Sequence, residues 1–181
     1  MAGNANDTHL WLDADVFIAP IGTAAPTDTT TAWAAAWKLV GLLDGDEGFA
    51  ESRDQDTAEF YAWGGKLIKR SISKQKRTIK FVALENNDTV FDLVNPGSTR
   101  TTAASTRTAA VKVPTVKKFA IGFEQREGTS ILRRIAANAQ VAEVGEIKFG
   151  ESNVTAYEIT VILFPDSTTN VLYTDIETLP A

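Results

Sequence analysis

Alternation of apolar and polar residues along short runs is the feature that most constrains what this chain can fold into. The strongest run is 154–164, where apolar side chains at every second position flank Glu158 and Thr160. A two-residue repeat places one row of side chains on each face of a β-strand. Further strands are predicted at 14–20, 57–63, 66–72, 76–84, 116–124 and 171–176. The chain is therefore predicted to be mainly β.

Turn residues separate several of these runs. Gly64 and Gly65 lie between 57–63 and 66–72, and two glycines supply the positive φ angles of a tight hairpin turn. Two other segments stay open on periodicity alone. Residues 33–43 fit a short helix or a strand, and residues 129–141 fit a helical repeat although their neighbours favour sheet.

One helix is predicted at 86–94. Asn86, Asn87 or Asp88 can cap it, its apolar residues share one face, and Asn95-Pro96-Gly97 ends it. Residues 98–110 are almost entirely Ser, Thr, Ala and Arg, which predicts a long mobile loop over 95–112. Residues 1–13 are polar and predict a flexible N-terminal arm.

The sum is eight to ten strands and one or two helices. This predicts an antiparallel β-sandwich or barrel with one flanking α-helix and long loops. A chain of 181 residues with 44% hydrophobic residues can build one core. Residues 14–181 are therefore predicted to form a single β-sandwich domain.

Catalytic chemistry finds little support in the composition. The chain has no cysteine and one histidine, His9, in its polar N-terminal stretch. Its residues suggest no nucleophile–base set and no metal-ligand cluster. The acidic turn Asp44–Gly48 fails the calcium-loop pattern, because the twelfth residue from Asp44 is Gln55 and not glutamate. We expect no enzyme activity, no cofactor and no metal.

Membrane and secretion signals are not expected either. No apolar run approaches the roughly 20 residues that a membrane-spanning helix needs. The first 30 residues lack the basic start and apolar stretch of a signal peptide.

Charge is distributed unevenly along the chain, whose net charge is −5. Residues 1–60 hold 11 acidic and 2 basic side chains, residues 61–118 hold 3 and 12, and residues 119–181 hold 9 and 4. Folding can bring these segments together, so that their opposite charges cancel and leave no strong electrostatic field. Alternatively, complementary patches attract further copies of the same chain.

Two residue groups are candidate contact sites. The basic residues within 66–80 suit either binding to a nucleic-acid backbone or contact with another subunit, and the acidic pI of about 4.9 favours contact with another subunit.

Tryptophan is enriched in interface hot spots. Trp63 is predicted to lie in the core, whereas Trp11 lies in the arm and is predicted to contact another molecule.

Three stretches together resemble the major tail tube proteins of long-tailed bacteriophages, especially those of actinobacterial hosts. They are the segment from Trp37 to Gly48, the segment from Thr57 to Asn87, and the segment from Ile131 to Asp166. The resemblance rests on the order of these parts and covers most of residues 35–170. It implies that residues 129–141 are mainly strand.

The resemblance also implies an assembly. Six β-sandwich subunits would form a ring, and stacked rings would form a hollow tube through which phage DNA passes without specific binding. The expected partners are other copies of the chain, the tape measure protein, the tail terminator and the tail-tip or baseplate proteins. The protein would be made in the host cytoplasm and reside in the virion tail.

Subunit and ring contacts are expected in the arm, in the acidic loop 44–56, in the basic hairpin and in the long loop. The predicted interface residues are Trp11, Asp44, Asp46, Glu47, Asp54, Asp56, Lys66, Lys69, Arg70, Arg100 and Arg107. Two other classes of protein stay open. One is a β-barrel module that binds single-stranded nucleic acid through residues 66–80, and the other is a capsid decoration or adhesion domain.

Overall fold

A computed structural model of the protein describes residues 8–178. Within these residues the chain forms ten strands and one helix. In chain order they are β1 (Asp13–Ala19), β2 (Lys38–Leu39), β3 (Ala50–Tyr61), β4 (Leu67–Ala83), α1 (Asp88–Val94), β5 (Thr99–Ala103), β6 (Thr106–Ala110), β7 (Lys118–Glu127), β8 (Ser130–Val144), β9 (Tyr157–Leu163) and β10 (Thr174–Thr178).

Eight of these strands form one antiparallel sheet. Seven follow the order β2-β1-β7-β8-β9-β4-β3, and β10 pairs with β8. Strand β8 is long enough to hold two partners along one edge: β10 pairs with residues 131–135 and β9 with residues 139–144. Strands β5 and β6 form a separate hairpin.

The sheet closes on itself through the residues that follow β2. Leu43 forms an isolated antiparallel bridge with Ala83 at the end of β4. The Asp44 N–H donates to the Val82 carbonyl at 2.9 Å, and the Leu84 N–H donates to the Leu42 carbonyl at 2.9 Å. Since β2 also pairs with β1, this segment joins the two sides of the sheet into a barrel. The prediction of a mainly β, antiparallel sandwich or barrel is confirmed.

The barrel interior contains the main core. Phe81, Ile121 and Ile159 come from three strands and are fully buried. The Phe81 and Phe123 rings meet edge to face, with centroids 6.0 Å apart, a geometry that aromatic pairs favour. In β9 every second side chain, from Tyr157 to Leu163, is buried, as the alternation predicts.

Helix α1 covers one end of this core. The Asn87 side chain caps it by accepting a hydrogen bond from the Val90 N–H at 2.9 Å. Val90 and Leu93 are buried against the barrel. Both the helix and its cap follow the sequence prediction.

Residues 20–37 cover part of the outer face of the barrel. Trp33 stacks on Phe17 with centroids 4.5 Å apart, and Trp37 meets Trp33 edge to face at 4.9 Å. Trp37, Ala120 and Ile135 belong to a second buried cluster outside the barrel. Both faces of the sheet are therefore buried in this region.

Several predicted boundaries are corrected. The predicted strands 66–72 and 76–84 are one continuous strand, β4. The acidic loop 44–56 ends at residue 49, because Asp54 and Asp56 lie in β3. The predicted loop 95–112 contains the β5–β6 hairpin, whose backbone hydrogen bonds order a segment with few core-forming residues. Residues 33–43 contain two residues of strand, and residues 129–141 lie almost wholly in β8.

The predicted flexible arm is only partly described. Residues 1–7 lie outside the described part of the chain. From Leu10 onwards the segment follows the end of β7: the Leu10 N–H donates to the Glu127 carboxylate at 3.0 Å and the Leu12 N–H donates to the Arg126 carbonyl at 3.0 Å. These residues are therefore held against the barrel.

Candidate assembly surfaces

The most prominent surface is a hairpin that extends from the barrel, residues 54–76, which we call the projecting hairpin. Its strands are the distal part of β3 and the first ten residues of β4, all of which are exposed. At its tip Gly64 and Gly65 have φ angles of 87° and 79°, a conformation that favours glycine. At about 3.3 Å per residue, these ten residues reach roughly 33 Å.

One face of the projecting hairpin carries exposed apolar side chains on either side of a charged pair. Tyr61 lies opposite Leu67, Glu59 opposite Arg70 and Thr57 opposite Ile72, so these three pairs share one face. Tyr61, Leu67 and Ile72 are each about half exposed. Within the described residues this face packs against no core cluster. Exposed apolar groups in such a row are typical of protein–protein contact surfaces.

Trp63 stands at the tip and is 104% exposed. The prediction that it lies in the core is therefore wrong. The physical reason is the length of β4: the strand outruns the barrel by ten residues, so the Gly-Gly turn and its neighbours lie far from any core. A tryptophan directly before a Gly-Gly turn, followed by Lys66, was the sequence signal for an exposed tip.

The predicted charged residues of this region lie along the projecting hairpin. Lys69 lies opposite Phe60, and Arg70 pairs with Glu59 at 3.8 Å. Lys66 lies beside the turn. Asp54 lies opposite Lys76, and the Asp56 carboxylate is 3.0 Å from the Lys74 ammonium. Carboxylates thus lie between the basic side chains of the projecting hairpin. The surface here is therefore less basic than the sequence of residues 66–80 alone predicts.

The acidic turn after β2 lies on the barrel wall. Asp44 accepts hydrogen bonds from the Gly48 and Asp46 N–H groups, at 3.2 and 3.0 Å. Glu47 lies 3.3 Å from the Lys80 ammonium of the same chain. The turn is thus shaped by its own hydrogen bonds, and its Asp46 and Glu47 side chains are exposed.

Arg100 and Arg107 fasten the β5–β6 hairpin to the residues before α1. Arg100 donates to the Asn87 carbonyl at 2.8 Å and to the Asn86 side chain, and its guanidinium lies 4.7 Å from the Phe91 ring centroid. Arg107 donates to the Asn86 carbonyl at 2.7 Å. The Arg100 side chain is only 7% exposed, so it contacts its own subunit and offers little surface to another.

Trp11 has neighbours within its own chain. Its ring stacks on His9 with centroids 4.8 Å apart. His9 lies between two carboxylates, 3.6 Å from Glu127 and 3.3 Å from Glu177. Trp11 is half-buried, so part of its ring is already covered by its own chain. Its predicted place in a subunit interface stays a prediction, as do those of the other predicted interface residues.

A buried ionic network holds the outer loop on the barrel. The Glu124 carboxylate accepts hydrogen bonds from the Arg133 guanidinium at 2.6 Å and the Trp33 indole at 2.7 Å. Arg133 also donates to the Asp28 and Thr31 carbonyls, each at 2.7 Å. Burial raises the pKa of Glu124, but these hydrogen bonds and one from the Arg126 guanidinium at 2.8 Å outweigh it, so its pKa lies below the ordinary value.

Neither a metal centre nor a membrane span is found in the described part of the chain. Residues 8–178 contain no group of three or more His, Asp or Glu side chains placed to hold a metal ion. No helix among them is long and apolar enough to cross a membrane.

A barrel with a protruding, partly apolar hairpin is typical of a subunit that assembles with other protein chains. Comparison with known proteins identifies its family. The chain matches the family described as phage tail tube protein over residues 1–177. It belongs to that family, and its role is that of a structural, non-enzymatic component of the phage tail tube. A comparison with curated proteins gives no match.

Solved structures with a similar fold come from contractile injection systems. The sheath–tube complex of the PVC extracellular contractile injection system, in the extended state, gives a TM-score of 0.50 at 12% identity, with 92% of this chain and 88% of that chain covered. The PVC sheath/tube terminator gives 0.51 at 12% identity, covering 97% and 99%. The tube-terminating cap of the anti-feeding prophage gives 0.51 at 12% identity, covering 98% and 100%. At this identity the likeness concerns the fold.

Proposed function

We propose that copies of this chain form hexameric rings that stack into a hollow tail tube for DNA delivery. The observation that carries this proposal is the projecting hairpin. Its exposed apolar side chains and its tip pack against no core cluster within the described residues, yet they belong to a chain of the tail tube family. A protrusion that meets a different surface of the next copy makes a head-to-tail contact, and such contacts propagate into rings or filaments.

The free edge of β3 supports contacts within a ring. Strand β3 is 12 residues long and is the last strand in the order of the sheet. No strand among the described residues pairs with its outer edge. Long unpaired edges invite pairing with another chain. Pairing of β3 with a neighbouring subunit would extend the barrel sheets around the ring and remove this edge from water.

DNA would pass through the tube without specific binding. The net charge of −5 opposes phosphate binding by the assembled protein. The basic side chains of the projecting hairpin alternate with carboxylates, including the pairs Arg70–Glu59 and Lys74–Asp56. We infer that this charge pattern serves contacts between subunits rather than contacts with DNA.

The partners follow from the place of the chain in a tail. Similar folds occur in a sheath–tube complex and in two terminating proteins of injection systems. We propose a tail terminator at one end of the tube, tail-tip or baseplate proteins at the other, and a tape measure protein inside it during assembly. Synthesis would occur in the host cytoplasm before incorporation into the virion tail.

Negative-stain electron microscopy across a concentration series, together with the mass in solution, tests this proposal. Hollow rings or tubes with sixfold end views are the expected result. Particles that stay monomeric at high concentration and bind single-stranded DNA with a steep salt dependence would instead indicate a nucleic-acid-binding module. Particles that stay monomeric without binding DNA would contradict spontaneous tube formation, and a seeded assembly with preformed tubes would then test nucleated growth.

A further inference from the structure

A cavity of about 610 Å³ lies where helix α1 meets one end of the barrel. Its lining includes the apolar side chains of Ile18 from β1, Leu93 from α1 and Phe119 from β7. Its volume falls in the range of about 300–1,000 Å³ that is typical of ligand-binding pockets. Its rim carries charged side chains of both signs, Lys38, Asp88, Asp92 and Lys117.

This cavity and the projecting hairpin lie at opposite ends of the barrel. The antiparallel registers show which strand termini lie at the α1 side of the barrel. They are the C-terminal residues of β1, β4 and β8 and the N-terminal residues of β2, β7 and β9. The cavity residues Ala19, Lys38 and Phe119 belong to this end. Strand β4 begins beyond the other end, because its first ten residues precede the barrel portion that starts at Arg77.

The position of the tip excludes a contact within one chain. The projecting hairpin points away from the cavity of its own barrel, so Trp63 reaches this cavity only on another copy. When copies stack along the barrel axis, the projecting hairpin of one copy points to the cavity end of the next. The two surfaces differ, so the contact is head-to-tail and repeats without limit along a tube.

The two surfaces match in their apolar character. Trp63 is fully exposed, and burial of an aromatic side chain removes about 150–250 Å² of surface from water. The rim carboxylates already pair with cations of their own chain, since Asp92 lies 3.5 Å from Lys117 and Asp88 lies 3.5 Å from Arg100. The contact therefore depends on the burial of Trp63 and not on charge.

We propose that Trp63 of one copy inserts into the cavity between α1 and the barrel of the next copy along the tube axis. This inference rests on the proposed function, since it names the contact that joins successive rings. Trp63 is the anchor of the contact, and the cavity wall formed by Ile18, Leu93 and Phe119 is its receptor. Tyr61 and Leu67 of the projecting hairpin pack beside it.

Site-directed disulfide formation tests the pairing directly, because the chain has no cysteine of its own. Trp63→Cys and Ala36→Cys are introduced in separate chains, since Ala36 lines the cavity and is exposed. Mixing the two variants under mild oxidation should give a covalent dimer, and the double variant should give a ladder of multimers. A matched control pairs Trp63→Cys with Ser167→Cys, an exposed position outside the cavity. Equal cross-linking by the control pair would overturn the assignment.

Two further variants measure the strength of the contact. Trp63→Ala removes the anchor, and Ala36→Trp fills the cavity from an exposed position. Each should raise the protein concentration needed for tubes at least about tenfold, as expected for an interface hot spot, while circular dichroism stays unchanged.

The outcomes separate this contact from the proposed function. Suppose that the unmodified chain forms tubes, but neither variant alters assembly and the Trp63→Cys and Ala36→Cys chains form no cross-link. The tip-in-cavity contact is then wrong, and the tube function stands. If the unmodified chain forms no tubes even with preformed seeds, the proposed tube function is wrong, whatever the cross-linking result.

Discussion

The indole of Trp33 lies directly over the backbone of Gly122, so close that a Cβ at position 122 would stand 2.3 Å from the ring. Glycine is required there by this approach and not by its backbone angles. Gly122→Ala forces Trp33 off the barrel and away from Phe17, on which it stacks. We expect a loss of about 1–3 kcal/mol in the free energy of unfolding, as for other overpacked sites.

Urea unfolding of the full chain under conditions that keep it monomeric measures this loss. Gly150→Ala is the matched control, because a Cβ there meets nothing within 4 Å. The control should unfold at the same urea concentration as the unmodified protein. A Gly122→Ala protein as stable as the control would mean that Trp33 does not pack on β7.

The buried pair between Glu124 and Arg133 gives a second prediction. Glu124→Gln keeps the shape of the side chain but leaves the Arg133 guanidinium without its countercharge in a buried site. Breaking a buried ion pair from one side costs about 3–5 kcal/mol. Glu146→Gln, which removes an exposed pair with Lys148, should change stability little. Chemical unfolding at neutral pH compares the two variants.

The pH dependence of this effect has a definite sign. The pKa of Glu124 in the folded protein lies below its ordinary value of 4.5. Its ionised form therefore stabilises the fold above pH 4.5, and this contribution is lost as the pH falls through the folded-state pKa. The stability difference between the unmodified protein and Glu124→Gln should be constant well above pH 4.5 and narrow below it. A difference that widens on acidification would contradict the prediction.

Part of the barrel could be predicted from the sequence because some of its strands bury mainly one face. In β9 the two-residue repeat marks the buried positions, and Asn87 marks the start of α1. Strand β7 was also predicted, although residues 119–124 are all buried, because its large apolar side chains alternate with Ala120 and Gly122. The helical repeat of residues 129–141 was misleading because β8 is buried on both faces in its central part, against the core and against Trp37. A strand buried on both faces loses its alternation.

The assembly surfaces were harder to predict for a different reason. Exposure of Trp63 depends on how far β4 outruns its partners, which is a property of strand register and not of local sequence. The β5–β6 hairpin was missed because its side chains are all small, polar or charged, and its order comes from backbone pairing and from Arg100. The cavity beside α1 combines residues from distant parts of the chain, so no single segment indicates it.

Arg100 supplies a third prediction, on local stability. Its guanidinium joins the β5–β6 hairpin to Asn86, Asn87 and Phe91. Arg100→Ala should release the hairpin, so that the amides of Thr99–Ala110 exchange faster and proteases cut there, while the barrel amides keep their protection. Arg107→Ala removes one hydrogen bond from a more exposed side chain and should have a smaller effect. Equal protection of the hairpin in both variants would show that backbone pairing alone orders it.

Charge reversal on the projecting hairpin provides the final prediction. Lys69 and Arg70 are exposed, and Arg70 is only weakly held by Glu59 at 3.8 Å. Lys69→Glu with Arg70→Glu should leave the fold intact, because exposed substitutions rarely change stability by more than about 0.5 kcal/mol. We expect it to weaken assembly, because the proposed function assigns these cations to contacts with acidic surfaces of neighbouring copies. Because surface charges are screened by salt, the defect should shrink as the salt concentration rises. The control is Lys148→Glu, which reverses an exposed charge outside the projecting hairpin. If the Lys69→Glu, Arg70→Glu protein forms tubes of the same length and yield as this control at low salt, the basic side chains have no role in assembly.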